Sequence, residues 1–178
     1  RALVLDQNNQ HVWQVYSWMK LLESNKMGFD RAAEKCLAIN PYNPMYQGTI
    51  GFGYQCAGRY EEGLELMLQS IDLNPYYHWL LNVGLCLYHI HMGNYEEAAY
   101  WAKLINRSGL LWDPLLRLAV FGLLNEKEEA AYALKELLEL KPNFHERATY
   151  IVGRFILAQE LQNDILRGLS QAGVEITS

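Results

Sequence analysis

The chain has 178 residues, 51% of them apolar, and a formal net charge of −5. That share of apolar side chains supports a buried core and excludes a globally disordered segment. The acidic balance offers no basic field to a phosphate backbone, so no nucleic-acid partner is expected for this segment. Three cysteines without C-x-x-C spacing cannot close a paired disulfide framework, and a reducing, cytoplasmic setting is expected. No apolar run reaches the ~18 residues of a membrane helix, and no signal peptide is expected. No membrane partner is therefore expected. Arg1 in place of methionine predicts a piece of a longer polypeptide.

In chain order, helices are expected over 9–24, 29–40, 44–57, 60–73, 78–92, 95–107, 113–124 and 127–140. The stretch from Met45 to Asn74 shows why. Ile50, Phe52 and Tyr54, then Leu64, Met67, Leu68 and Ile71, fall at helical spacing. Between them, Gly58 can close the first helix in a left-handed cap. Pro75 stops the second, because proline lacks an N–H and clashes with a continuing helix. Asn74 before it is pushed out of the helical region. Two further apolar stretches follow, Ala148 to Leu157 and Leu161 to Leu169, and Gly173 closes the second.

A period underlies these elements. Ala2–Gln7, Cys36–Pro41, Ser70–Pro75 and Leu137–Pro142 share one pattern, ending in Pro or Gln. The first two steps are 34 residues each, and the step from Pro75 to Pro142 is 67. Leu104–Gly109 is a weaker member where one is missing. Gly58-Arg-Tyr-Glu-Glu-Gly63 and Gly93-Asn-Tyr-Glu-Glu-Ala98 form a second series with nearly the same period. Each unit reads as helix, short turn, helix, stop.

The pattern resembles the tetratricopeptide repeat. The matching positions are Gly51, Tyr54, Gly63 and Pro75, with Cys86, Tyr95 and Ala98, then Leu118, Ala119, Ala130 and Pro142. The first unit offers Trp13, Ser17, Cys36 and Pro41. Small residues suit helix axes that approach within about 8–10 Å. The resemblance covers residues 1–143. It implies an all-α, right-handed superhelical solenoid of about four helix-turn-helix repeats, with residues 144–178 as C-terminal capping helices. A cap is expected because a last repeat would otherwise expose an apolar face. The run from Asp164 to Gly173 is similar to the C-terminal tail of bacterial signalling proteins. In those, a repeat array follows a class III nucleotide cyclase or winged-helix DNA-binding domain. That resemblance implies an effector domain before Arg1.

Reactive chemistry finds little support. His89 and His91 diverge by about 200° on a helix and cannot share a metal. His11, His78 and His145 lack ligand spacing, so no metal and no cofactor are expected. Cys36 and Cys86 occupy places where the repeat wants a small residue. Glu61-Glu62, Glu96-Glu97 and Glu128-Glu129 each open a second helix, where the helix dipole stabilises negative charge by about 0.3–1 kcal/mol. Gly48, Gly51 and Gly53 lie on a helix with no preceding strand, which excludes a phosphate loop. No catalytic residue and no enzyme activity are expected.

The resemblance implies an inner, concave wall on the first helix of each repeat. Trp18, Phe52, Leu87 and Val120 are its equivalent positions, with His11, Gln14, Met45, Gln55, Val83, His91, Leu116 and Arg117 beside them. Such an apolar groove suits a peptide or protein segment. The protein's own cap or a flanking segment is the other occupant. The family's chaperone-binding members grip carboxylates with cations, but Gln14, Trp18, Thr49, Leu80 and Gly84 stand there, so no such clamp is expected. The expected function is a non-catalytic protein-interaction scaffold, the regulatory end of a bacterial signalling or transcription protein, with Trp18 and Phe52 as anchors. A homodimer through Leu3, Leu5, Val12 and Trp13, pairing upstream effector domains, is the alternative.

Overall fold

The computed structural model describes residues 8–176. Ala2–Gln7, including Leu3 and Leu5, and the end of the expected cap at Thr177 and Ser178 lie outside the described residues. Among the described residues all regular structure is helical. The helices are α1 (Gln10–Leu22), α2 (Lys26–Ile39), α3 (Pro44–Ala57), α4 (Tyr60–Leu73), α5 (Leu80–His91), α6 (Tyr95–Ile105), α7 (Trp112–Leu124), α8 (Lys127–Leu140), α9 (Ala148–Gly153) and α10 (Gln159–Gln171). A 3-10 turn, His145–Arg147, precedes α9.

Local chemistry sets the boundaries. Asn9, Asn25 and Asn43 each accept a backbone N–H at the start of α1, α2 and α3, from Val12, Gly28 and Met45. The Asn25 cap explains why α2 begins at Lys26, three residues before the expected start. Asn40, Asn74 and Lys141 leave the helical region, with φ near −149°, −145° and −144°. Each precedes a proline. Gly58 and Gly93 take left-handed turns at φ +82° and +74°, and Asn125 does the same after α7 at +59°. The three Glu pairs sit in the first turns of α4, α6 and α8. The stretch expected over 148–157 stops at Gly153. Ile156 then donates its N–H to Val152 O and accepts from Gln162 Nε2 at 2.7 Å, which turns the chain into α10.

The chain divides into two compact units, Arg1–Gly84 and Leu85–Ser178, with the division inside α5. In the first, α1 packs on α2, α3 on α4, and α1 on α3. Gln10 Nε2 donates to Cys36 O and Asn40 O, both at 2.8 Å. One 34-residue step later, Ser70 Oγ donates to Pro44 O at 2.7 Å. The same pair of places is thus tied twice. A Cβ at Gly51 would stand 2.8 Å from Gly63 O, and one at Gly63 2.7 Å from Gly51 O, so α3 and α4 cross only because both residues are glycine. Phe29 of α2 seats over Gly53 and meets Tyr54 edge-on at 5.7 Å. Asp30 beside it pairs with Arg59 at 3.1 Å.

In the second unit α7 is central: α6, α8 and α10 all pack on it, and α9 packs on α10. No proline closes the 106–111 junction. Instead buried Asp113 accepts the Arg107 N–H at 2.5 Å and the Arg117 Nε–H at 2.7 Å. Leu161, Ile165, Gly168 and Leu169 of α10 are buried. A Cβ at Gly122 would collide with Gly168 O, and one at Gly168 with Ala119 O. The backbones of α7 and α10 are therefore in direct contact.

Candidate functional site

Of the twelve residues expected to line a groove, seven belong to the first unit and five to the second. In the first unit, Trp18 and Phe52 stack with centroids 5.5 Å apart and planes 13° apart. His11 meets Tyr46 at 6.3 Å, so α1 and α3 touch at both ends. His11 and Met45 are exposed and Gln14 is half-buried. Phe52 is buried, because Gly84 leaves it room: a Cβ there would sit 3.3 Å from its ring. Gln55 is a strut, buried, with Nε2 donating to Tyr60 O at 2.7 Å across the turn between α3 and α4.

Farther along the chain the expected wall is mostly core. Val83, Leu87, Leu116 and Val120 are buried. Arg117 turns toward α8, where it pairs with Glu136 as well as Asp113. His91 faces α10, its Nδ1 lying 3.2 Å from Asp164 Oδ2. Asp164 also pairs with Arg167 at 3.0 Å, and Arg167 donates to the Tyr95 hydroxyl at 3.1 Å. These contacts pin α10 beside the end of α5 and the start of α6. In the second unit α10 covers the Ala119–Leu123 side of α7.

The physical reason for the shift is register. The 67-residue step from Pro75 to Pro142 makes Ala119, not Val120, the counterpart of Phe52 in the period. It is Ala119, Gly122 and Leu123 that α10 meets.

Sequence reasoning missed an exposed stripe on α1. Val15, Met19 and Leu22 are 43%, 50% and 37% exposed, spaced i, i+4, i+7 beside the half-buried Trp18. That spacing was the available signal. The 34- and 67-residue steps carry Val15, Trp18, Met19 and Leu22 onto Leu116, Ala119, Val120 and Leu123. The first three of those are buried and the fourth is half-buried. The same repeat positions are thus covered on α7 and open on α1.

Burial raises the thiol of Cys36 to about 11 and pushes those of Cys56 and Cys86 higher still. All three stay protonated at neutral pH, in the weakly nucleophilic form. Burial lowers the pKa of His89, partly opposed by Glu97, and its Nδ1 is buried without a partner among the described residues. Among the described residues no group of three or more His, Cys, Asp or Glu is placed to hold a metal. No described helix is long and apolar enough to cross a membrane.

No protein-family model matches the chain, and no curated protein matches it.

Proposed function

We propose that this chain is a non-catalytic protein-interaction module of tetratricopeptide type, whose first unit receives an apolar segment of a partner on α1. The single observation that carries the reading is the stripe of Val15, Met19 and Leu22 beside Trp18. Its counterparts on α7 lie in a helix face on which α10 packs. A helix can therefore cover this face, and α10 is an example from the same chain. Burying one such side chain contributes about 1.5–3 kcal/mol before the ordering costs of association. Two helices packed in tandem pairs, with ties repeated at a 34-residue step, support the solenoid reading. The resemblance of Asp164–Gly173 supports a cytoplasmic bacterial signalling or transcription-regulatory context.

A photoreactive side chain at position 19 tests the reading. Irradiation in cells should link the protein to one partner segment. Val15→Glu should abolish the link while the thermal melting curve stays in place. Equal labelling of many proteins, or a link indifferent to Val15→Glu, would sink the proposal.

A further inference from the structure

A second surface lies at the first hairpin. Between α1 and α2 a cavity of about 710 Å3 opens among Trp13, Tyr16, Met27 and Ala32. Its rim carries Lys20, Arg31 and Lys35, opposed by Glu34. Lys20 is held by Glu23 at 2.6 Å and stands over the Tyr16 ring. Arg31 and Lys35, one turn apart on α2, form no ion pair with any described residue. Arg59, Arg117 and Arg167, by contrast, each have a carboxylate. The rim is net cationic on a chain of net charge −5.

The next hairpin shows what such a face accepts. One 34-residue step converts Trp13, Tyr16 and Lys20 into Gln47, Ile50 and Tyr54. Those are 3%, 0% and 4% exposed. Tyr54 is covered by α2, which presents an apolar knob, Phe29, followed by an acid, Asp30. The knob fills the space over Gly53 and the acid meets Arg59. At the α1–α2 cavity the aromatic floor is present, and the cations come from α2.

We propose that this cavity docks an amphipathic helix of a partner protein that offers an apolar or aromatic knob flanked by carboxylates. Aromatic residues at the floor give area, and Arg31 and Lys35 give direction by pairing with the flanking acids. This site is separate from the α1 stripe and does not depend on it.

Two short helical peptides serve as probes, identical in their Phe and Leu knobs, one with Glu and Asp flanks and the other with Lys. By fluorescence anisotropy the acidic peptide should bind at least about ten-fold tighter, and added salt should weaken it. The double variant Arg31→Glu/Lys35→Glu should reverse the preference without moving the melting temperature. Val15→Glu should leave binding unchanged, which separates this site from the stripe. Equal binding of the two peptides, or binding unaffected by the double variant, overturns the proposal. So does a requirement to delete residues 1–7 first, since the chain's own segment would then be the occupant. A dimer in sedimentation that the double variant dissociates would assign the surface to a second copy and overturn it as well.

Discussion

Helices α1 and α7 occupy equivalent places in the period, yet one is covered and the other is not. On α7 that place holds Ala119, with Gly122 one turn on, and α10 presses its backbone onto both through Gly168. On α1 the matching place holds Trp18, whose bulk stacks on Phe52 and leaves Val15, Met19 and Leu22 at the surface. Small residues let a helix of the same chain settle permanently. Large flexible ones leave apolar area available to something that arrives from outside. The difference is one of side-chain volume at a fixed position in the period: α7 is covered by a helix of its own unit, and α1 keeps apolar side chains at the surface.

The comparison breaks most sharply at Gly168. Gly168→Leu forces a side chain into Ala119 O, and should cost about 3 kcal/mol or more in urea denaturation. Hydrogen exchange should show α10 amides released and the α7 face opened. A variant that unfolds at the wild-type midpoint would mean that α10 does not depend on the crossing. Removing the pin is milder. Asp164→Ala loses the contacts with His91 and Arg167, which are partly exposed, and should cost about 1 kcal/mol. The exchange rate of α10 should rise more than that of α8.

A pH titration sharpens the second unit further. Burial holds the pKa of His89 below its ordinary value, so the unfolded chain takes up the proton first. The stability it contributes is complete above about pH 6.5 and is lost as pH falls from there through the lowered folded value. His89→Gln should flatten the pH dependence of the urea midpoint in that window. An unchanged slope would show that another group is responsible. The smallest effect is expected on the open side. Met19→Ser should change stability by no more than about 0.5 kcal/mol, because the residue is half exposed and the proposed role is external. A large loss would place Met19 in a core contact and end its claim to recognition.

Much of the helical scaffold was legible because its punctuation is local. Pro41, Pro75 and Pro142, the glycines at 58 and 93, and the Glu pairs act within a turn of where they stand. The start of α2 was misplaced because Asn25 caps it through a single side-chain bond that competes with several equivalent readings. The wall of the site was only partly legible. Trp18 and Phe52 do meet, but Leu87 and Val120 are core residues. Their fate depends on which helix packs over them and on a one-residue shortening of the period before Pro142. Pattern at short range does not encode that α10 returns to α7, since contacts between them link residues 45 to 50 positions apart. The pairing of Gly122 with Gly168 is visible only when both backbones are in view.

The return of α10 also fixes an order of events during synthesis. Helices α7 and α8 leave the ribosome well before residues 159–171, so the Ala119–Leu123 face of α7 waits uncovered while the rest of the chain is made. Nascent chains that carry such a face are the ones that associate wrongly or recruit chaperones. Translation speed between α8 and the end of α10 therefore governs how long this unit is vulnerable, and a pause there is the point at which yield would be lost.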